Sequence, residues 1–151
     1  MEPYVERLRE LGIDASALRL PRGSTERAIS SLRDQVGTGL PSSVIGGHSF
    51  GGRVASMAAA DTKPAGLVLL SYPLHRPGHT DELRVEHWSR IACPVLLLSG
   101  DRDQFARIEL LERSVRLLPH AELHIYRGSR HGLVAVADDV AHRIASFVKG
   151  L

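Results

Sequence analysis

Two long apolar runs constrain the fold of this 151-residue chain more than any other feature of its sequence. They cover residues 66–72 and residues 94–99, and both are dominated by Leu and Val. A strand with one side facing solvent alternates apolar with polar residues, whereas a strand buried on both faces reads as a continuous apolar run. The two runs therefore predict two central strands of a parallel sheet that carries helices on both faces.

The other periodic segments alternate between strand and helix. Helical spacing of apolar residues predicts helices at residues 3–11, 24–36, 50–60 and 108–118, and a last helix that begins at Asp138 or Asp139. Shorter strands are predicted at residues 15–20, 43–47 and 121–126, and a long connection at 73–91 contains one helical piece at 83–88. The alternation predicts a single α/β domain over residues 1–151, a three-layer sandwich around a mostly parallel sheet of about five strands.

Composition excludes several classes of protein. The chain has 19 Lys and Arg against 17 Asp and Glu, and a net charge of +2 is too small for a nucleic-acid-binding surface. The longest apolar stretch, residues 65–70, is far shorter than the roughly 20 residues of a membrane-spanning helix. The N-terminus lacks the pattern of a secretory leader, and the single Cys93 cannot form an intrachain disulfide. We therefore expect a cytoplasmic protein with no nucleic-acid partner and no membrane partner.

Residues 47–51 read Gly-His-Ser-Phe-Gly, the pattern G-x-S-x-G, between a short predicted strand and a helix of small residues. In this pattern the serine occupies a sharp, strained turn, and its hydroxyl projects above the sheet. The turn is expected to need small residues two positions before and two positions after the serine, which assigns Gly47 and Gly51 to it. Ser49 is then a candidate nucleophile, and the backbone N–H of Phe50 is a candidate donor to an oxyanion.

A serine nucleophile needs a base, and the base needs an acid that orients it. Asp101 and Asp103 follow the predicted strand at 94–99, and His131 follows the predicted strand at 121–126. The chain order of serine, acid and histidine is the one that accompanies this type of serine turn. Each candidate also lies at the carboxyl end of a predicted parallel strand, where open α/β sheets form their sites. The residues therefore predict a Ser-His-Asp arrangement with either aspartate as the acid.

From about residue 43 to the end, the chain resembles a small α/β-hydrolase of the dienelactone-hydrolase-like group. The segments that carry the resemblance are residues 46–52, 53–56, 69–75, 100–103 and 128–131. The resemblance implies that Ser49 is the nucleophile and His131 the base. It also favours Asp103 over Asp101, because the acid in that group usually lies three residues after the glycine. Dienelactone hydrolases themselves use a cysteine nucleophile, so the presence of serine here weakens any inference of lactone specificity.

The front of the chain departs from the α/β-hydrolase pattern. In that family about three strands precede the first helix, and a His-Gly loop supplies a second oxyanion amide. No His-Gly pair precedes Ser49. Three interpretations are open: an N-terminally truncated hydrolase, a strand at 15–20 that pairs directly with the strand at 43–47, or a partner chain that completes the sheet. An incomplete sheet edge would favour a homodimer.

Three further side chains are candidates for contact with substrate. His48 is adjacent to Ser49, and Tyr72 and Leu74 follow a buried strand at the same end of the predicted sheet. His87 and Trp88, in the long connection, either cover the site or anchor a helix. Two histidine pairs, His75 with His79 and His120 with His124, are spaced four residues apart, but no acidic or cysteine ligand supports either pair. We therefore expect no metal and no cofactor.

The sequence as a whole predicts a serine esterase that acts on a small ester or thioester-type acyl substrate. Water would resolve an acyl-enzyme, so the reaction needs no cofactor. The alternative is a catalytically impaired hydrolase-like domain with a binding or scaffold role, since a fold and a motif do not guarantee activity.

Overall fold

The computed structural model describes residues 2–151, and within them the chain alternates between helices and parallel strands. The α-helices are α1 Glu2–Glu10, α2 Thr25–Val36, α3 Phe50–Asp61, α4 Ile108–Ser114 and α5 Ala137–Lys149. The strands are β1 Val44–His48, β2 Gly66–Leu70, β3 Val95–Gly100 and β4 Ala121–Tyr126. The expected α/β class and the two central strands are confirmed.

All four strands pair in parallel, in the order β1-β2-β3-β4. The register places His48 beside Leu70, Leu70 beside Leu98, and Gly100 beside Tyr126. Because parallel strands end at the same edge of a sheet, the loops that follow β1, β3 and β4 meet at that edge. The topology therefore brings the three candidate catalytic loops to one place.

The two faces of the sheet bury two separate apolar clusters, which is why β2 and β3 read as continuous apolar runs. Leu67, Leu69 and Leu97 belong to the cluster under α2, α3 and α4. Val68 and Leu98 belong to the cluster under α1 and α5. Every residue of β2 and β3 is buried, so the interior of the sheet is closed on both sides.

The strand expected at residues 15–20 is absent, and that expectation was wrong. The carbonyls of Ala15 and Arg19 accept hydrogen bonds from the Arg9 and Gln35 side chains at 2.8 and 3.0 Å instead of from strand amides. The sheet consequently has four strands among residues 2–151, not five, and β1 is one of its edges. The interpretation in which residues 15–20 pair with β1 is excluded.

The helical piece expected at residues 83–88 is also absent. The long connection has only one short 3-10 turn, Trp88–Arg90, and it is tied back on itself by a hydrogen bond from the Arg84 amide to the Leu74 carbonyl at 2.8 Å. The backbone amides and carbonyls of this connection form hydrogen bonds in turns rather than in a helix. Within residues 2–151 no helix combines the length and the apolar character that a membrane crossing requires.

Candidate active site

Ser49 lies on a strained turn between β1 and α3. Its backbone has φ 52° and ψ −117°, a left-handed conformation that is rare for a residue with a side chain. The Ser49 amide donates to the Leu70 carbonyl at 2.9 Å, which fixes the turn to the adjacent strand. The predicted serine turn is therefore present, and it directs the end of β1 straight into the first turn of α3.

The positions in this turn that have no room for a side chain are Gly47 and Gly52, not Gly47 and Gly51. A Cβ at Gly47 would lie 2.5 Å from the Gly51 carbonyl carbon, and a Cβ at Gly52 would lie 2.7 Å from the Gly47 oxygen. A Cβ at Gly51 would meet nothing within 4 Å. The expectation that position 51 must be small was therefore wrong, because the strand and the helix touch one residue further along.

Ser49, His131 and Asp103 are joined by hydrogen bonds. The Ser49 hydroxyl lies 2.8 Å from Nε2 of His131, and Nδ1 of His131 lies 2.9 and 2.8 Å from the two carboxylate oxygens of Asp103. In this arrangement the His131 Nδ1–H donates to the carboxylate, and Nε2 is free to accept the hydroxyl proton. A hydroxyl, an imidazole and a carboxylate in this order form the machinery of nucleophilic acyl transfer.

The structure distinguishes between the two candidate aspartates. The Asp103 residue is only 5% exposed, and its Oδ1 also accepts the Phe105 amide at 2.8 Å. Asp101 instead accepts the Gly128 amide at 2.7 Å and links the loop after β3 to the loop after β4. Asp103 is therefore the carboxylate that is hydrogen-bonded to His131, and Asp101 links the two loops.

Two aromatic side chains flank the imidazole of His131. The His48 ring lies 5.1 Å and the Phe105 ring 4.5 Å from it, centroid to centroid. The His48 Nε2–H also donates to the His131 carbonyl at 2.8 Å. His48 therefore supports the His131 loop from the β1 side. The His131 side chain remains 23% exposed, so the site is open to solvent.

Phe50 is the first residue of α3, and its backbone N–H lies in the first helical turn, where amides have no partner within the helix. The Ser49 side chain makes no capping hydrogen bond to this turn. The positive end of the helix and the Phe50 N–H therefore lie beside the nucleophile, as expected for a donor to an oxyanion. The Phe50 side chain is 40% exposed at the same position.

Tyr72 and Leu74 lie in the core rather than at the opening. Their exposed fractions are 1% and 0%. The Tyr72 hydroxyl donates to the Arg84 carbonyl at 2.6 Å, and its ring packs edge-on against Trp88 at 5.0 Å. Neither side chain has a surface that a substrate could reach. In this structure both pack in the core and hold the long connection against α3.

Three further buried polar residues, His75, Ser56 and His87, hold the segments around the site together. His75 is buried, its amide donates to the Phe105 carbonyl, and its Nε2 accepts the Arg107 amide, both at 3.0 Å. The buried Ser56 hydroxyl lies 2.8 Å from Nε2 of His87. In the sequence, Ser56 is a lone serine on the buried face of an alanine-rich helix. Such a position indicates that a polar partner packs against it. The open alternative for His87 and Trp88 is thus resolved towards anchoring.

The pKa of His87 lies below its ordinary value, chiefly because burial disfavours the charged imidazole.

Within residues 2–151 no group of three or more His, Cys, Asp or Glu side chains is arranged to hold a metal ion. Cys93 is buried, and burial raises the pKa of its thiol.

Comparison with known proteins agrees with this geometry. A family described as the alpha/beta hydrolase domain matches residues 3–144. The chain belongs to the alpha/beta hydrolase family. It is also 38% identical over 63 residues to a non-heme chloroperoxidase of Kitasatospora aureofaciens, a match that covers 41% of this chain and 22% of that protein.

Solved hydrolase structures share the fold. A monoacylglycerol lipase of Paleococcus ferrophilus is similar with a TM-score of 0.76 and 15% identity, over 96% of this chain and 86% of that one. A serine hydrolase involved in carbazole degradation is similar with a TM-score of 0.77 and 15% identity, over 99% and 84% of the two chains. The chain spans 65% of a predicted CIB-like hydrolase from Thermoplasma acidophilum and about a fifth of the chloroperoxidase. These likenesses show that the chain has the alpha/beta hydrolase fold.

Proposed function

We propose that this alpha/beta hydrolase is a serine esterase that cleaves a small ester or thioester through Ser49, His131 and Asp103. The observation that carries the proposal is the unbroken series of hydrogen bonds from the Ser49 hydroxyl through His131 to Asp103, each of 2.8–2.9 Å. That series supplies a nucleophile, a base and an orienting acid in mutual contact. The family membership agrees with it.

The first half of the proposed reaction acylates Ser49. Its oxygen attacks the substrate carbonyl while Nε2 of His131 takes the hydroxyl proton. The negative charge on the carbonyl oxygen is stabilised by the Phe50 N–H and the positive end of α3. His131 then returns the proton to the departing alcohol or thiol, and the bond between the carbonyl carbon and the leaving group breaks.

The second half releases the acid. A water molecule gives a proton to His131 and attacks the acyl carbonyl. The bond to the Ser49 oxygen breaks, and His131 returns the proton to that oxygen. Asp103 keeps the imidazole in the tautomer with a proton on Nδ1 and stabilises the imidazolium that forms in each half. No cofactor takes part in this scheme.

The finer assignment to the dienelactone-hydrolase-like group stays a prediction that rests on the segments at residues 46–52 and 69–75. A catalytically impaired binding domain is the competing proposal. It is favoured by one observation, namely that no His-Gly pair, which supplies the second oxyanion amide in this family, precedes Ser49. Loss of one such donor from a known serine hydrolase costs about 10²–10³ in rate.

Labelling of the purified protein with a fluorophosphonate probe tests the proposal. We expect stoichiometric labelling that disappears in Ser49→Ala, together with hydrolysis of p-nitrophenyl butyrate that falls by at least about 10³. Folding of both proteins is checked by circular dichroism. Folded protein that neither reacts with the probe nor cleaves the ester would overturn the esterase proposal and favour the impaired binding domain.

The two aspartates provide a matched pair for the same assay. Asp103→Asn should lower kcat by about 10⁴, because the amide orients His131 in the wrong tautomer. Asp101→Asn should keep most of the activity and lose about 1 kcal/mol of stability through its weakened hydrogen bond to Gly128. Equal losses of activity in the two variants would contradict the assignment of Asp103 as the acid.

A further inference from the structure

The backbone that carries the His131 imidazole depends on one side chain for its hydrogen bonding within residues 2–151. The backbone of residues 130–132 takes part in one hydrogen bond, in which Nε2–H of His48 donates to the His131 carbonyl at 2.8 Å. The loop is bonded just before this stretch, where the Ser129 carbonyl accepts the Arg102 amide at 2.9 Å. His48 is therefore the hydrogen-bonding anchor of the backbone at His131.

The other two residues of the hydrogen-bonded series have backbones that are bonded to other main-chain groups. The Ser49 amide donates to the Leu70 carbonyl at 2.9 Å, and the Ser49 carbonyl accepts the Arg53 amide at 3.0 Å. The Asp103 carbonyl accepts the Ala106 amide at 3.2 Å. Main-chain bonds thus fix the proposed nucleophile and the proposed acid, whereas the backbone of the proposed base has no such bond in the part of the chain that the structure describes.

His48 can act as a rigid anchor because it is part of the sheet. It is the last residue of β1, directly precedes Ser49 and pairs with Leu70 of β2. Its ring also packs against the His131 ring, with the centroids 5.1 Å apart and the planes tilted by 56°. The strand that leads into the nucleophile therefore also holds the histidine, so both reacting groups have one rigid support.

The need for this anchor is greatest after acylation of Ser49. In the free protein the Ser49 hydroxyl lies 2.8 Å from Nε2 of His131 and helps to hold the ring. Once the Ser49 oxygen carries an acyl group it has no proton to donate, and that bond is lost. The bond from Nδ1–H to Asp103 and the bond from His48 to the His131 carbonyl remain. The position of the imidazole in the acyl-enzyme consequently depends more on His48 than it does in the free enzyme.

We propose that His48 is a positioning residue that keeps His131 in place while water releases the acyl group from Ser49. This role rests on the proposed esterase function, because it concerns the second half of that reaction. In that half Nε2 of His131 takes a proton from water as the water oxygen bonds to the acyl carbon. The bond from that carbon to the Ser49 oxygen then breaks, and the proton passes to this oxygen. Because a displacement of about 1 Å is enough to cost a large part of the rate, a loosened imidazole slows this step.

Steady-state kinetics with p-nitrophenyl butyrate separates the two halves of the reaction. The p-nitrophenolate group departs readily, so release of butyrate limits kcat, whereas kcat/KM reports the steps up to acylation. His48→Phe keeps a ring and removes the N–H. We expect kcat to fall about tenfold, the equivalent of one lost hydrogen bond, and kcat/KM to fall less than about threefold. A variant that was merely unfolded in part would lower both quantities by the same factor.

Conservative and distant substitutions provide the controls. The amide nitrogen of His48→Gln lies about as far from the backbone as Nε2 of histidine, so this variant should recover kcat to within about threefold of the unmodified protein. His120→Phe makes the same change at an exposed histidine and should leave both quantities unchanged. If His48→Phe fails to fold, His48→Asn gives the same test, because its shorter amide does not reach the His131 carbonyl.

A second measurement needs no turnover. Ser49→Ala lacks the hydroxyl donor, as the acyl-enzyme does. In this protein the proton between Nδ1 of His131 and the Asp103 carboxylate should give a proton NMR resonance far downfield. Addition of His48→Phe should broaden the resonance beyond detection, because a loosened loop lets the proton exchange with water. Addition of His48→Gln or His120→Phe should preserve it.

The outcomes separate this proposal from the proposed function. A resonance that depends on His48, in a protein that cleaves no ester, would support the anchoring of His131 and overturn the esterase together with its deacylation step. Equal losses of kcat and kcat/KM in His48→Phe, no recovery in His48→Gln, or a resonance unchanged by His48→Phe would overturn the positioning role. Ester cleavage in those cases leaves the esterase standing.

Discussion

At the scale of single residues, contact between the backbones of Gly47 and Gly52 shapes the serine turn. Any side chain at these positions would overlap main-chain atoms that have no room to move, at 2.5 and 2.7 Å. Gly51 faces open space, although the G-x-S-x-G pattern draws attention to it. The pattern therefore identifies the turn correctly but misplaces one of the two glycines that the geometry requires.

Substitution by alanine should have opposite effects on stability at Gly51 and at the other two glycines. Gly47→Ala and Gly52→Ala should each destabilise the protein by at least about 2 kcal/mol, because overpacking moves backbone. Gly51→Ala should be neutral or stabilising by up to about 1 kcal/mol, since alanine is favoured over glycine in a helix. Urea unfolding measures these differences, and fluorophosphonate labelling reports whether Ser49 keeps its position. A strong loss of stability in Gly51→Ala would contradict the proposed packing.

At the scale of elements, the loop after β3 depends on the connection that follows β2. His75 is the link: its Nδ1–H donates to the Arg76 carbonyl at 2.9 Å, and its Nε2 accepts the Arg107 amide at 3.0 Å. Phe105 lies between these bonds and Asp103, and its ring contacts His131. The imidazole of His75 thus joins two segments that are distant in sequence and holds the loop that carries Asp103.

Removal of this link should affect both stability and catalysis. His75→Ala leaves the Arg107 amide without its acceptor, which costs about 1–3 kcal/mol, or roughly 2–10 °C in Tm for a chain of this length. Because the Asp103 loop loosens, kcat should fall by about tenfold or more, while KM for p-nitrophenyl butyrate changes little.

Thermal unfolding and steady-state kinetics measure the two effects of that substitution. His75→Gln offers a side-chain acceptor to the same amide and should recover part of kcat. Recovery of stability without recovery of kcat would show that His75 does not position the acid loop.

At the scale of the whole molecule, the long connection is anchored to α3 by His87. Burial lowers the pKa of this imidazole, and the positive charges of Arg53 and Arg90 lower it further, against the raising effect of Glu86. The unfolded chain therefore binds a proton at this residue at a higher pH than the folded chain does. It follows that protonation favours the unfolded state, and that acid weakens the anchor.

We expect the free energy of unfolding to decrease as the pH falls below about 6.5, the ordinary pKa of histidine. One such group contributes a slope of at most about 1.4 kcal/mol per pH unit. His87→Asn removes this contribution and should flatten the dependence between pH 6.5 and 5. His120→Asn, an exposed histidine, is the control and should leave the slope unchanged. Urea unfolding across the pH series measures the slope for each protein. An unaltered slope in His87→Asn would contradict the assignment of this pH dependence to His87.

The sequence by itself determined the parallel sheet and its buried central strands, and it singled out Ser49 and His131 as candidate catalytic residues. The periodicity of apolar residues indicates which side of a helix or strand is buried. The positions of the strand ends along the chain indicate which side chains share an edge of the sheet. Prediction went wrong at residues 15–20, whose short apolar pattern resembled a strand, although the carbonyls of Ala15 and Arg19 are bonded by side chains.

Only the tertiary structure decided which loop atoms meet. The family resemblance favoured Asp103 over Asp101, but the contact that distinguishes them joins His131 to a residue 28 positions away, and the bond from Ser49 to His131 joins residues 82 apart. The same holds for His75 with Arg107 and for Ser56 with His87, which are 32 and 31 residues apart. Such contacts are set by the register of neighbouring strands and by the course of the loops that follow them, and local sequence patterns carry no record of either.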